Sequence, residues 1–267
     1  MTDVGVIGAG RMGQPIIGHL ARKGFRTRVY DIDAGKRAVV EARGAQWTAD
    51  VPGLAAASDV LLVCVGYDEE LRALFPQLAP AARRGAIVAV LSTVHPKTVQ
   101  DLASTYAPRG LTVVDATMCR GGRAADEGTL LCFVGGDAGT VERLRPVLGA
   151  FASDIVPTGA VGSAQVAKAA NNLILWACLV ADHEALALAQ CHGLDVERLR
   201  QALGISSAAN DALAKWGTQT MAWAEDDMAI VAEMARECGL RLPQAEITRE
   251  ICRALKPRRY KLDQYGK

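Results

Sequence analysis

Residues 3–15 read DVGVIGAGRMGQP, a short apolar run followed by closely spaced glycines and a proline. The run from Asp3 to Ile7 is rich in β-branched residues, which is typical of a buried parallel strand. Pro15 falls in the first turn of a helical pattern, where a missing backbone N–H costs no intrahelical hydrogen bond. Because the GxGxxG spacing stands between a strand and a helix, it predicts a dinucleotide-binding turn.

The glycine turn predicts where the phosphates of a dinucleotide would bind. Gly8 permits a tight turn, Gly10 lets the backbone approach a pyrophosphate, and Gly13 allows close packing of helix on strand. The helix that follows directs free N–H groups and its positive dipole end at the phosphates. Arg11 and Met12 lie between Gly10 and Gly13, and we predict that they also bind the cofactor.

A second strand-like run, Arg26 to Tyr30, ends at Asp31. A carboxylate at this place accepts hydrogen bonds from the ribose hydroxyls and repels a 2′-phosphate. Asp31 therefore favours NAD over NADP, a preference that Lys36 and Arg37 further along the chain weaken. The alternative is that Asp31 only caps the next helix.

The rest of the chain shows two kinds of pattern. Apolar runs alternate with helical stretches, which is typical of a Rossmann-type doubly wound parallel sheet in an α/β domain; the runs are Val60–Val65, Ala86–Leu91, Leu111–Asp115, Leu130–Val134 and Asp154–Val156. A long helix is predicted from Ser163 to about Cys191, ended by Gly193, and it joins this domain to an all-α domain. The further helices are expected at Asp195–Leu203, Ser206–Trp216, Asp226–Cys238 and Pro243–Leu255. We thus predict an NAD-binding domain over residues 1–162 and a helical domain over residues 163–267.

Composition excludes several classes of protein. Half of the residues are apolar, 22% are charged and the net charge is +1, so neither a disordered chain nor a nucleic-acid-binding surface is expected. The longest uninterrupted apolar stretch, Leu173 to Ala181, is shorter than the roughly 20 residues of a membrane span. The N-terminus has no basic segment typical of a secretory signal. Seven scattered cysteines indicate reduced thiols in a cytoplasmic protein, with no metal site.

Lys168 stands early in the predicted long helix among small and apolar neighbours. Asn172 lies four residues further and therefore on the same helix face. When a hydride leaves an alcohol carbon, the hydroxyl proton needs an acceptor, and a lysine amine can serve as this general base. A lysine that extends along the helix surface is the alternative, and residue chemistry alone leaves both open.

Taken together, these motifs resemble the β-hydroxyacid dehydrogenase family over nearly the full length. Residues 8–15, GAGRMGQP, are similar to the family's GxGxMGxP motif, and Ser92-Thr93 with Pro96 is similar to its STxxP segment. Residues 159–172, GAVGSAQVAKAANN, match the family's GxxGxxxxxKxxNN motif without a gap. The resemblance implies a homo-oligomer formed through the helical domains.

The same resemblance implies roles for individual residues. Lys168 would be the catalytic acid and base, and Asn172 would contact the substrate. Thr93 would lie near the nicotinamide, and Val65 and Gly66 would line the cofactor. The site is expected at the carboxyl ends of the strands, in a cleft between the domains.

Two positions depart from the family pattern. The family's substrate segment DAPVSGG is DATMCRG here, so that Cys119 replaces the serine and Arg120 the glycine before Gly121. A thiol donates more weakly than a hydroxyl, whereas a guanidinium can bind a carboxylate through two hydrogen bonds. An Arg120 that points to solvent or narrows the pocket is equally open. Asp226 stands where the family carries a lysine, at the expected edge of the pocket.

The function that these expectations favour is NAD-dependent hydride transfer with a small β-hydroxy acid, or a related alcohol and carbonyl pair. A catalytically silent NAD-binding sensor or scaffold is the alternative from another class, supported by the two departures. An imine-reducing relative is a third possibility, which the retained Lys168 disfavours. We expect a small-molecule substrate and no nucleic-acid or membrane partner.

Overall fold

The computed structural model describes residues 2–265, and the chain separates into two compact units. The first unit ends at Lys168 and the second begins at Ala169. Each unit is organised around hydrophobic clusters of its own. The predicted division into an NAD-binding domain over residues 1–162 and a helical domain over residues 163–267 stays a prediction.

The first unit contains one eight-stranded sheet. Its strands are β1 Asp3–Ile7, β2 Arg26–Tyr30, β3 Gln46–Trp47, β4 Val60–Val63, β5 Ile87–Val90, β6 Thr112–Cys119, β7 Leu130–Gly135 and β8 Ala152–Gly159. They follow the order β3-β2-β1-β4-β5-β6-β7-β8, so the chain winds outward from β1 in both directions. The strands from β3 to β6 are parallel, whereas β7 is antiparallel to β6 and β8 is parallel to β7. The predicted doubly wound fold class is confirmed, and the pair β7–β8 at one edge runs in the opposite direction.

Helices cover both faces of this sheet. They are α1 Gly13–Arg22, α2 Arg37–Ala42, α3 Val51–Ala56, α4 Asp68–Leu78, α5 Pro96–Tyr106, α6 Gly121–Glu127 and α7 Ala138–Leu148. Successive residues of a strand point to opposite faces, so Val6 belongs to a hydrophobic cluster with residues of α1 and α7, while Ile7 belongs to a second cluster with residues of α3, α4 and α5. Burial on both faces explains why β1 is apolar from Val4 to Ile7.

The second unit is helical throughout the part that the structure describes. Helix α8, Ser163–Cys191, begins in the first unit and continues into the second, and α9 Val196–Leu203, α10 Asp211–Ala214, α11 Ala224–Glu237 and α12 Pro243–Leu255 follow. The end of α8 is a glycine cap, because Gly193 has φ +77° and the N–H of Leu194 donates to the carbonyl of Ala189 at 3.1 Å. The core of this unit includes Trp176 and Leu179 of α8.

The prediction of a helix over Ser206–Trp216 is wrong for most of that range. Only Asp211–Ala214 is α-helical, and the preceding residues form turns. The Ser206 hydroxyl bonds the backbone of Leu203 and Ala208, and the Asn210 side chain accepts from the N–H of Leu213 as a helix cap. Such side-chain bonds to the backbone compete with helix formation, so the helix begins late.

Helix α8 is, among the described residues, the one helix that is long and apolar enough to cross a membrane by length and composition alone. Its most apolar stretch of 18 residues has a mean hydropathy of 1.4, and 44% of that stretch is buried within the molecule. The core helix of a soluble protein meets the same criterion. The apolar run from Leu173 to Ala181, on which the prediction of no membrane span rests, is only part of this helix.

Candidate active site

The glycine turn joins β1 to α1 and leaves space for a ligand at one position. Gly8 has φ +101°, and a Cβ atom there would lie 2.1 Å from the carbonyl oxygen of Cys64. A Cβ on Gly13 would lie 2.0 Å from the carbonyl oxygen of Gly8, whereas a Cβ on Gly10 would meet no atom within 4 Å. Gly8 and Gly13 therefore allow close packing, while Gly10 leaves the backbone open.

The N-terminus of α1 fits an anionic group. Met12 precedes the helix without a side-chain cap, and no acidic side chain stands in the first turn. The first N–H groups of α1 are thus not used by a local side chain, and the helix dipole favours negative charge there. Together with the open space at Gly10, these residues fit the pyrophosphate of a dinucleotide.

Asp31 follows β2 and is buried. Its carboxylate accepts hydrogen bonds from the N–H of Ala9 at 2.7 Å and of Asp33 at 2.9 Å, and it forms an ion pair with Lys36 at 3.0 Å. Burial by itself raises the pKa of the Asp31 carboxyl, but these hydrogen bonds hold the pKa below its ordinary value. The group is therefore a carboxylate anion that also supports the glycine turn.

Arg11 extends from the glycine turn to α6. Its guanidinium pairs with both carboxylate oxygens of Asp126, at 2.9 and 2.6 Å. His19 of α1 approaches the same helix, with Nε2 3.0 Å from the carbonyl oxygen of Ala125. The predicted cofactor-binding residue Arg11 thus links the glycine turn to the segment that follows β6. Met12 is partly buried and packs on the core.

The ends of β4 and β5 are joined by a serine side chain. The hydroxyl of Ser92 accepts a hydrogen bond from the N–H of Val65 at 2.9 Å, and the N–H of Gly66 donates to Glu70 at 2.8 Å. Thr93 follows Ser92 and is half-buried. Within the described part of the chain, the Thr93 hydroxyl has no hydrogen-bond partner. Thr93 is therefore available to a ligand at the carboxyl edge of the sheet.

The first turn of α8 is anchored by buried polar groups of β6. The two carboxylate oxygens of Asp115 accept from the N–H groups of Gly162 at 2.8 Å and of Gln165 at 2.9 Å, and Thr117 donates to the carbonyl of Ala164 at 3.0 Å. Burial raises the pKa of Asp115, against the lowering effect of those N–H groups. The sequence alone does not predict that Asp115 and Thr117 anchor this helix turn, although both residues lie in the substrate segment DATMCRG.

Lys168 and Asn172 both lie on α8, one turn apart. Lys168 is half-buried, and its ammonium has no hydrogen bond or ion pair with any described residue. The Oδ1 atom of Asn172 accepts from Asn171 at 3.1 Å, while its Nδ2 atom is buried without a partner. The helix therefore carries one unengaged cation and one unengaged amide donor.

The predicted recognition residues Cys119, Arg120 and Gly121 span the junction of β6 and α6. Cys119 ends β6, pairs with Leu131 of β7 and is buried. Arg120 has φ +82° at the place where the family carries a glycine. Its Nη1 atom lies 2.6 Å from Asp154, 2.9 Å from Ser153 and 3.0 Å from the carbonyl oxygen of Thr129; Gly121 begins α6.

Asp226 lies in the first turn of α11 and is exposed. Glu225 and Asp227 accompany it, so three acidic residues face the N-terminus of this helix. Acidic side chains stabilise that end of a helix through its dipole. Stabilisation of α11 is therefore a sufficient reason for an aspartate at position 226, whether or not this residue borders a pocket.

Comparisons with known proteins cover almost the whole chain. The family model described as the NAD-binding domain of 6-phosphogluconate dehydrogenase matches residues 3–162. A second model, described as the NAD-binding of NADP-dependent 3-hydroxyisobutyrate dehydrogenase, matches residues 162–264.

Relatives with assigned activities are similar along most of their length. The 3-hydroxyisobutyrate dehydrogenase of Pseudomonas aeruginosa is 32% identical over 217 residues, which cover 80% of this chain and 72% of that protein. The 2-(hydroxymethyl)glutarate dehydrogenase of Eubacterium barkeri is 29% identical over 262 residues, covering 93% of this chain and 87% of that protein. The solved structure of Mycobacterium tuberculosis 3-hydroxyisobutyrate dehydrogenase with L-serine has a TM-score of 0.88 at 24% identity, covering 96% of this chain and 94% of that one.

Proposed function

The chain belongs to the β-hydroxyacid dehydrogenase family, and we propose that it transfers a hydride between NAD and a small β-hydroxy acid. It is an NAD(P)-dependent dehydrogenase acting on CH–OH groups. The choice of NAD, the substrate class and the residue roles are our proposal. A related alcohol and carbonyl pair would undergo the same chemistry. The observation that carries the proposal is the unengaged Lys168 ammonium on a helix turn that is anchored to β6 and to the segment after β5.

Lys168 is the proposed general acid and base. In the oxidation, its amine takes the proton of the substrate hydroxyl while the hydride leaves the same carbon and a carbonyl forms. In the reduction, the ammonium returns that proton to the carbonyl oxygen. The nicotinamide, when bound, supplies the hydride acceptor or donor. Because no described residue engages the Lys168 ammonium, its protons are available to a substrate.

Asn172 is the proposed substrate-orienting residue. The hydrogen bond from Asn171 occupies its amide oxygen and leaves the buried Nδ2 atom as a donor. A buried donor without a partner is costly, so a substrate oxygen that accepts from it gains binding energy. This chemistry suits the carboxylate or hydroxyl oxygen of a hydroxy acid.

The proposed cofactor site follows the carboxyl ends of β1, β2, β4 and β5. Gly8, Gly10, Arg11, Met12 and Gly13 would surround the pyrophosphate, Asp31 would bind the ribose, and Val65, Gly66 and Thr93 would line the path to the nicotinamide. The low pKa of Asp31 keeps this carboxyl charged, so that it repels a 2′-phosphate and favours NAD. Lys36 reduces the repulsion through its ion pair with Asp31.

Cys119, Arg120 and Gly121 form the proposed recognition segment. The Nη1 atom of Arg120 is held by Asp154, whereas its Nε and Nη2 atoms have no partner among the described residues. These two atoms form one edge of the guanidinium, which can bind a carboxylate through two parallel hydrogen bonds. We therefore assign the substrate carboxylate to Arg120, in place of the serine that the family uses.

A homodimer or homotetramer is proposed, formed through residues 163–267. Helix α8 has an exposed face that is largely apolar, with Val166, Ala170, Ile174, Ala181, Ala185 and Leu188, and Glu184 is also exposed on this face. Ile174 is 64% exposed and Leu188 is 63% exposed, which is unfavourable in water. Light scattering after gel filtration tests the proposal, because Ile174→Glu should dissociate the oligomer while the exposed control Ile247→Glu on α12 should not.

A cytoplasmic location without nucleic-acid or membrane partners completes the proposal. All seven cysteines have unbridged thiols, with no disulfide among the described residues. Such thiols are compatible with a reducing compartment.

The decisive experiment measures reduction of NAD and NADP with a panel of β-hydroxy acids and neutral β-hydroxy compounds. We expect turnover with NAD that is lost in Lys168→Ala, while NAD binding is retained. A Lys168→Ala variant as active as the wild type would contradict the assigned base. No turnover by the wild type with any compound would contradict the proposed reaction.

A further inference from the structure

The side chain of Gln165 connects α8 to the backbone on both sides of Thr93. Its Nε2 atom donates to the carbonyl of Ser92 at 2.8 Å, and its Oε1 atom accepts from the N–H of Val94 at 3.1 Å. The side chain is only 1% exposed, so both hydrogen bonds are shielded from water. Gln165 lies three residues before Lys168, in the first turn of α8.

This pair of contacts matches the donor and acceptor of a primary amide. One partner is a carbonyl, which needs a donor, and the other is an N–H, which needs an acceptor. The orientation of the amide is therefore determined by the chemistry of its partners. Because both ends of the side chain are engaged inside the protein, Gln165 is not itself a substrate ligand.

The backbone of Gln165 is fixed as well. Its N–H donates to the buried carboxylate of Asp115, and the carbonyl of the preceding residue, Ala164, accepts from Thr117. The helix turn is thus held to β6 through the backbone, while the Gln165 side chain holds the segment that follows β5. This segment also contacts the end of β4, since the Ser92 hydroxyl accepts from the N–H of Val65.

We infer that Gln165 is a positioning residue for the proposed hydride transfer, fixing the segment that carries Thr93 to the helix turn that carries Lys168. The inference rests on the proposed function, in which Thr93 lies at the nicotinamide end and Lys168 moves the proton. Loss of the two hydrogen bonds leaves the glycine turn intact but frees the Thr93 segment from α8. The rate of the chemical step should therefore fall more than the affinity for NAD.

The first test compares Gln165→Met with a remote control. Methionine has a similar length and lacks both polar atoms, and small misplacements of reacting groups cost up to about 100-fold in rate. We expect kcat to fall about 10- to 100-fold while the KM for NAD changes by less than about 3-fold. The control is Ser58→Ala, which removes a buried hydrogen bond to the Leu54 carbonyl in the same unit and should lower Tm but not kcat.

The second test uses the chemistry of the amide itself. In Gln165→Glu, a protonated carboxyl offers one donor and one acceptor as the amide does, whereas the carboxylate offers only acceptors and repels the Ser92 carbonyl. The kcat of Gln165→Glu divided by that of the wild type should therefore rise as the pH is lowered. A merely destabilising substitution does not give this dependence.

Three results decide the outcome. If the wild type is active and Gln165→Met has the same kcat, the inference is overturned while the proposed function stands. The same holds if the kcat ratio of Gln165→Glu to the wild type does not vary with pH. Absence of wild-type turnover on the whole substrate panel overturns the proposed function on which the inference depends. A lowered kcat in Gln165→Met, an unaffected Ser58→Ala and recovery of Gln165→Glu at low pH support it.

Discussion

The ammonium of Lys36 lies 3.0 Å from one carboxylate oxygen of Asp31 and 3.1 Å from the other. Asp31 is also held by the N–H of Ala9 in the glycine turn, so the same carboxylate joins the two parts of the proposed cofactor site. The negative charge that should repel a 2′-phosphate is thus partly balanced by a neighbouring cation. Cofactor choice in this chain depends on the pair and not on Asp31 alone.

Removal of the cation should sharpen the preference for NAD. In Lys36→Met the Asp31 charge is no longer balanced, and we expect the ratio of kcat/KM for NAD to that for NADP to rise about 10-fold, equivalent to about 1.4 kcal/mol. Asp31→Asn should shift the ratio in the opposite direction. The measurement is steady-state kinetics with both cofactors, with the exposed Lys23→Met as the control. An unchanged ratio in Lys36→Met would show that the pair does not affect cofactor choice.

The glycine turn allows a matched pair of alanine substitutions. Gly10→Ala meets no atom within 4 Å and should fold with a free energy of unfolding within about 0.5 kcal/mol of the wild type, yet bind NAD weakly. Gly13→Ala places its Cβ 2.0 Å from the carbonyl oxygen of Gly8 and should destabilise the fold by about 1–3 kcal/mol. Urea unfolding and calorimetric NAD titration measure the two quantities. Unimpaired NAD binding by Gly10→Ala would be incompatible with a pyrophosphate at this turn.

Arg120 allows a test of substrate recognition. Arg120→Lys keeps the positive charge but loses the planar edge that binds a carboxylate through two hydrogen bonds. We expect the KM for the preferred β-hydroxy acid to rise about 10-fold, while the KM for its uncharged amide stays the same. Arg123→Lys is the control, because Arg123 lies on α6 and pairs only with Glu127 among the described residues. Equal effects on acid and amide would mean that Arg120 does not bind the carboxylate.

Substitution of Asp154 distinguishes the anchoring of the Arg120 side chain from its recognition of the substrate carboxylate. Asp154→Asn weakens the contact with Nη1 but leaves the Nε and Nη2 atoms unchanged. A smaller rise in the KM of the acid is therefore expected than in Arg120→Lys. An equal or larger rise would indicate that the position of Arg120, rather than its free edge, determines affinity.

The elements that could be predicted from the sequence are those specified by local patterns. Strand β1 is apolar from Val4 to Ile7 because both of its faces are buried, and Gly8 and Gly13 are required by close contacts with the carbonyl oxygens of Cys64 and Gly8. The long helix α8 begins at Ser163 and ends at Cys191 as predicted, because no glycine or proline interrupts it and Gly193 caps it. In each case the sequence pattern that carries the prediction lies within one continuous segment of the chain.

The features that escaped prediction depend on contacts between distant residues. Strand β3 has two residues and exists only through its pairing with β2. The continuation of β6 to Cys119 requires the antiparallel partner β7, which the local pattern does not reveal. Gln165 looks like an ordinary polar residue of a helix until its partners Ser92 and Val94, more than 70 residues away in the chain, are known.

The buried His183 in the second unit predicts a pH dependence of stability. Its Nδ1 atom lies 2.7 Å from the carbonyl oxygen of Leu179, and its Nε2 atom accepts from the N–H of Tyr260 at 2.9 Å. Both hydrogen bonds are made only by the neutral ring protonated on Nδ1. Burial lowers the pKa of His183 below its ordinary value of 6.5, although the bond to Leu179 opposes this effect.

A histidine whose pKa is lowered by folding stabilises the native state above its unfolded pKa, and this contribution is lost as the pH falls through the folded pKa. The free energy of unfolding of the second unit should therefore decrease below about pH 6.5, by at most about 1.4 kcal/mol per pH unit for one proton. Urea unfolding from about pH 8 to about pH 5 measures it, with His183→Gln as a control that keeps one donor and one acceptor but does not titrate. Other ionisable groups, such as Asp182, titrate in both proteins and largely cancel in the difference. Parallel pH profiles for the two proteins would contradict a titrating His183, whereas a steeper loss in the wild type at low pH is the expected result.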